Sequence, residues 1–248
     1  MSNAWMAPLS GLVAFFYGMV GHGGASGYLA VGAFLNEPLG PLKAQALMLN
    51  LGVSGVAAFL FARARWMRWD LLLPLVLGSV PAAYFSSQIQ TGVALASGLL
   101  AFALLCSSLR LLWASRLKAF NEAGPRVVVA WPVLLAVGLS LGVLSGLTGV
   151  GGGIYLSPLL LFLRWADIKE SAACSAAFIF INSLAGLAGK AAQGPLPSLP
   201  HDWLAATLVG GLLGAYLGAG WLPQRRLAQV LAVALLLAAY KLGAHALA

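Results

Sequence analysis

The chain has 248 residues, of which 61% are hydrophobic and only 8% charged, and it carries a formal net charge of +8. With a mean hydropathy of +0.92, against about 25% charged residues in an ordinary soluble domain, it reads as an integral membrane protein rather than a soluble one. The positive balance fits basic loops that orient membrane segments, and it gives no support to a nucleic-acid partner.

Apolar segments of about 20 residues, the length that spans a bilayer, recur along the chain, and eight are predicted. The first runs from Leu9 to Leu35 and is interrupted by Gly21-His22-Gly23-Gly24. The second is Ala44 to Ala62, followed by a basic turn with Arg63, Arg65 and Arg68. The third is Leu71 to Phe85 and the fourth Val93 to Trp113, after which a polar, basic connector at 115–129 divides a first half, 1–114, from a second, 130–248. The fifth, Val133 to Leu163, contains Gly146-Leu147-Thr148-Gly149-Val150-Gly151-Gly152-Gly153, with Pro158 beyond. The sixth is Ser171 to Ala188, followed by a proline-rich loop from Gln193 to Pro200; the seventh is Trp203 to Leu222 and the eighth Leu227 to Leu247.

The halves repeat. Gly18-x-x-Gly21-x-Gly23-Gly24 matches Gly146-x-x-Gly149-x-Gly151-Gly152 at an offset of 128. Asn50 matches Asn182, and Gly78-x-x-x-x-Ala83-Tyr84 matches Gly210-x-x-x-x-Ala215-Tyr216, both at 132. Arg110 and Lys241 correspond at 131. The expected fold is therefore an all-α membrane protein of duplicated four-segment repeats with about seven or eight membrane segments. Each half opens with a glycine-broken helix. If all eight segments cross, the repeats are parallel and the 14 cations divide 9 to 5 between the two sides. If both broken segments are re-entrant, the repeats are inverted and only Lys43, Lys190 and Lys241 lie opposite the other cations. The positive-inside rule favours the inverted arrangement.

Consecutive glycines weaken a helix interior by roughly 1 kcal/mol each, and the N–H groups they free must face protein, water or a ligand. Together with a helix N-terminus they make a site of partial positive charge suited to an anion. The candidate residues are Gly21, His22, Gly23 and Gly24 in the first half and Thr148, Gly149, Gly151, Gly152 and Gly153 in the second. Asn50 and Asn182 either donate to the anion or brace the broken backbone. Lys190 has deep apolar surroundings and is a candidate counter-charge; Lys43 and Lys169 are expected to snorkel to the interface. His22 is a candidate proton carrier. Close helix packing is the competing use for such glycines. Cys106 and Cys174 read as inert buried thiols. Neither a catalytic constellation nor metal-ligand spacing occurs, and no cofactor is expected.

The run Gly149-Val150-Gly151-Gly152-Gly153-Ile154-Tyr155-Leu156-Ser157-Pro158, with Ile168-Lys169-Glu170-Ser171 and Asn182-Ser183-Leu184-Ala185-Gly186 after it, resembles the TauE/SafE sulfite exporters, also called toluene-sulfonate uptake permeases. The first half departs from that pattern: His22 stands beside the glycines and no proline matches Pro158. The resemblance implies a multi-pass protein of the cytoplasmic membrane whose partners are the lipid bilayer, a small sulfur-containing anion such as sulfite or a sulfonate, and a coupling proton or ion. It implies a secondary transporter; a passive anion channel and a non-transporting scaffold are the alternatives left open by the residues alone.

Overall fold

The structure, a computed structural model, describes residues 4–35, 37–89 and 127–223, with isolated positions between 105 and 109 and between 226 and 240. The predicted fourth segment, most of the connector and most of the eighth segment, with Arg110, Lys241 and Cys106, fall outside the described residues. What is described is helical. The elements are α1 (Met6–Met19), α2 (Ala25–Phe34), α3 (Leu39–Arg63), α4 (Trp69–Ser87), α5 (Trp131–Thr148), α6 (Gly153–Phe162), α7 (Ile168–Ala191) and α8 (His201–Tyr216), which ends in a π-helical turn at Leu217–Trp221. Five stretches are long and apolar enough to cross a membrane: Gly40–Arg63, Trp69–Ser87, Trp131–Thr148, Ile168–Ala191 and His201–Trp221.

Local chemistry explains the element ends. Pro132 opens α5 at a position where its missing N–H costs nothing. Asp167 and Glu170 form a capping box that starts α7. The chain reverses after α3 and after α6 through left-handed residues, Arg65 at φ 62° and Arg164 at φ 56°. In both turns the next N–H reaches back to the last helical turn, Trp66 to the Phe61 carbonyl and Trp165 to the Leu160 carbonyl.

Two glycine seams hold the bundle together. On α8, a Cβ at Gly210, Gly214 or Gly218 would strike the carbonyls of Gly11, Phe15 or Met19 of α1. On α5, a Cβ at Gly138 or Gly142 would strike the carbonyls of Leu75 or Ser79 of α4. Residue numbers rise together along both seams, so each pair is parallel and packs backbone on backbone, as small residues allow in lipid. Each seam joins a helix of the first half to one of the second. Between them α3 and α7 run antiparallel, with Leu47 beside Gly186, Asn50 beside Ser183, and Ala57 and Phe61 in one cluster with Ala172, Ala173 and Ala176.

The short helices return along this central pair. α2 is antiparallel to α3, with Ala25 at Asn50 and Gly32 at Leu42. α6 is antiparallel to α7, with Gly153 at Ile179, Ser157 donating to Ser175 Oγ (2.6 Å) and Ser171 donating to the Ser157 carbonyl (3.1 Å). The α1–α2 hairpin therefore leaves and rejoins the end of the bundle that carries the proline-rich loop. That end is fixed by Gln45, whose amide donates to the Ser198 carbonyl (2.8 Å). The α5–α6 hairpin leaves and rejoins the opposite end, where the arginine turn lies. There Arg68 bonds Asp70 (2.6 Å), approaches Glu170 (3.5 Å) and donates to the Trp165 carbonyl (3.4 Å). The Asp70 carboxylate, ahead of Glu170 in its effect, raises the Arg68 pKa above its ordinary value.

Candidate functional site

The two interruptions fall where the glycines place them, at Val20–Gly24 and at Gly149–Gly152. Left-handed backbone produces both: φ is 73° at Gly21 and 95° at Gly24, and 72°, 78° and 76° at Gly149, Gly151 and Gly152. Glycine reaches this region at no steric cost. Gly153 is already the first residue of α6, so Pro158 sits inside that helix instead of starting it. Gly18 and Gly146, part of the repeated motif, belong to the seams: Gly18 faces Gly211, and Gly146 faces Ala83 and Ser86. Glycine marks a turn and a close approach with the same letter, and the sequence does not separate them.

Asn50 brings the two breaks together. It lies near the middle of α3 and is fully buried. Its Oδ1 accepts from the Ala25 N–H at the start of α2 (3.0 Å). Its Nδ2 donates to the Val150 carbonyl in the other break (3.3 Å) and to Ser183 Oγ on α7 (3.4 Å). Gly23 and Gly151 both lie so close to Asn50 and Ile179 that a Cβ on either would collide with them. One side chain thus caps α2 in the first half and clips the backbone of the second.

The N-terminal ends of α2 and α6 therefore point into one region. Among the described residues, the N–H groups of Gly23, Gly24, Ser26 and Gly27 in one hairpin, and of Val150, Gly151, Gly152, Gly153 and Ile154 in the other, take no backbone acceptor. These are the donors that a helix start leaves over. The glycines of both breaks are buried. The C-terminal ends of α1 and α5 meet the same region and supply the opposite dipole, which favours a proton or cation.

The other predicted residues divide. His22 is 1% exposed; its Nδ1 lies 3.1 Å from the Val20 carbonyl, so that nitrogen carries the hydrogen. Its Nε2 has no partner among the described residues. Thr148 donates to the Leu144 carbonyl of its own helix (2.7 Å), the ordinary bond of a helix hydroxyl. Asn182 is fully buried, but it donates to the Phe178 carbonyl of its own helix (2.9 Å) and makes no bond to either break. Its Oδ1 is left without a partner among the described residues. Lys190 lies away from the Asn50 clip, where Nζ donates to the Ser87 carbonyl at the end of α4 (3.4 Å).

Tyr28 was not singled out by the sequence: its hydroxyl donates to the Gly23 carbonyl (2.7 Å) and braces the first break. Ser26 donates to the Tyr17 oxygen across the same hairpin (3.2 Å). Trp165 and Trp203 are covered by protein, whereas Trp69, Trp131 and Trp221 are exposed. Cys174 is buried and points its sulfur at the Arg68 carbonyl (3.6 Å). No group of His, Cys, Asp and Glu among the described residues is arranged to hold a metal.

Two helix starts facing one buried point in a multi-pass bundle is an arrangement suited to carrying an anion, and the comparisons with known proteins decide its family. The profile of the sulfite exporter TauE/SafE family matches residues 6–242. The chain belongs to that family. It is also similar to the probable membrane transporter protein y4hK of Sinorhizobium fredii (strain NBRC 101917 / NGR234), at 30% identity over 233 residues, covering 93% of this chain and 94% of that protein. No solved structure matches. This member of the TauE/SafE family is thus a multi-pass membrane transporter and not an enzyme.

Proposed function

We propose that the chain is a secondary transporter of a small organosulfur oxyanion, sulfite or a sulfonate, in the cytoplasmic membrane. Three oxygens around one sulfur need several donors at once. The unpaired N–H groups of the two breaks, with Asn50 between them, are donors of that kind. The single observation that carries the reading is Asn50 bonded to both breaks. Family membership supplies the sulfur chemistry.

The opposite directions of the hairpins support an inverted repeat in which both broken segments are re-entrant, so that each half contributes one helix start from its own side. Movement of one hairpin against α3 and α7 then exposes the site to alternate faces. His22 carries the coupling proton: Nδ1 is spent on Val20, and Nε2 is the nitrogen left to accept a proton beside a bound anion.

Flux of radiolabelled sulfite and of sulfoacetate into proteoliposomes, with and without trans substrate, tests this. Saturable flux accelerated by counterflow is expected. Flux that rises linearly with the gradient and shows no counterflow identifies a channel. The absence of any flux with either anion removes the organosulfur assignment.

A further inference from the structure

A second basic feature lies at the proline end of the bundle, apart from the Asn50 clip. Lys43 is on the first turns of α3 and Lys190 on the last turn of α7, one from each half of the chain. Both are half-buried. Lys43 flanks the end of α5: its Cβ and Cγ lie 3.5 and 3.6 Å from the point a Gly149 Cβ would occupy. Lys190 bonds the Ser87 carbonyl (3.4 Å). Ser87 in turn lies against Gly146 of α5 and Gly189 of α7. The ends of α4, α5 and α7 and the start of α3 thus converge, which sets both lysines around the end of α5.

Among the described residues no carboxylate pairs with them. The ion pairs among the described residues are those of Arg68 with Asp70 and Glu170, at the opposite end. Lys43 makes neither a hydrogen bond nor an ion pair among the described residues, and Lys190 spends one of its three donors on Ser87. The carboxyl-terminal carbonyls of α4 and α5 account for holding the cations near. They do not cancel two like charges set half inside an apolar bundle, which stay costly until a counter-ion lies between them.

We propose that Lys43 and Lys190 form an oxyanion-binding site at the proline end, distinct from the donors around Asn50. The ligand is a sulfo or phosphoryl group with charge enough for two ammoniums. A free oxyanion waiting at the mouth and the headgroup of an anionic phospholipid share that chemistry. The Lys43 stem lies in ordinary contact with Gly149, the first residue of the second break, so an anion held here is next in line for the break itself.

Calorimetric titration of the full chain with sodium sulfate and with sodium sulfite, in neutral detergent free of phospholipid, tests the site. Lys43→Gln and Lys190→Gln are each expected to weaken oxyanion binding about tenfold, the scale of one charge-assisted hydrogen bond. Lys43→Arg and Lys190→Arg are expected to keep it within a few-fold, which a packing role for the stems would not require. Unchanged affinity in both glutamine variants overturns the site, as does a loss that arginine fails to rescue. Nanodiscs of phosphatidylglycerol and of phosphatidylcholine separate the two sources. Sulfate binding equal in both assigns the site to a free oxyanion; binding blocked by phosphatidylglycerol alone assigns it to a headgroup. Gly151→Val, which should stop flux through the breaks, is expected to leave the lysine-dependent binding in place, so the two readings fail separately.

Discussion

The two breaks follow related paths by different means. In the first, side chains hold the backbone: Tyr28 fastens the Gly23 carbonyl, His22 fastens Val20, and Gly21 is pressed against the Ala172 carbonyl of α7. In the second, the run from Gly149 to Gly153 offers almost nothing but backbone, and it is held by Asn50 of the other half. A break held by its own side chains is fixed in place and can carry a titrating group. A bare one leaves its N–H groups for a ligand and can rearrange around it. On the proposed repeat, this divergence fits one half tuned for coupling and the other for cargo.

The sharpest way to break that contrast is to put a methyl group on each. Gly21→Ala forces a left-handed alanine into a backbone carbonyl and should cost about 4 kcal/mol, enough to lose the fold. Gly149→Ala meets only ordinary van der Waals contact at Lys43 and should cost about 1 kcal/mol, from its φ alone. Thermal unfolding in detergent compares them; equal losses would mean that both breaks are equally fixed. The repeat-related asparagines come next. Asn50→Leu removes bonds to both breaks and should cost about 2 kcal/mol and all transport. Asn182→Leu removes one bond within its own helix and should cost less than about 0.6 kcal/mol. Transport lost with stability intact in that variant would assign the unpartnered Asn182 oxygen to the substrate.

Smaller still, Tyr28→Phe should cost about 1 kcal/mol, with flux reduced but saturable. Least of all for stability is His22→Gln, which keeps a donor for the Val20 carbonyl. Its expected effect is on the pH profile of uptake, which should flatten. A profile unchanged from wild type would remove His22 from proton coupling.

Much of this was legible in the sequence because glycine is hard to excuse inside an apolar helix. Runs of it located both breaks, and an asparagine in lipid had to find polar partners, which marked Asn50. What stayed hidden depended on partners distant in the chain. Gly18 and Gly146 carry the break motif yet serve the seams, since a close approach is invisible until the second helix is in place. Tyr28 looked like one more apolar residue until its hydroxyl met the Gly23 carbonyl. Lys43 looked like an interfacial anchor, and only the antiparallel course of α3 and α7 sets it near Lys190. Asn182 shows the converse: a position matched in sequence need not repeat a role.

The glycine seams also bear on how the protein is made. The bare face of α1 has its counterpart on α8, and the ribosome reaches Gly210, Gly214 and Gly218 only after almost all the rest has been synthesised. Until then the first hairpin must wait in the translocon or the surrounding lipid with Gly11 and Gly18 uncovered. A nascent chain stopped before His201 would therefore hold the α4–α5 seam complete and the α1 side open, so the helix translated first is the one whose packing finishes last.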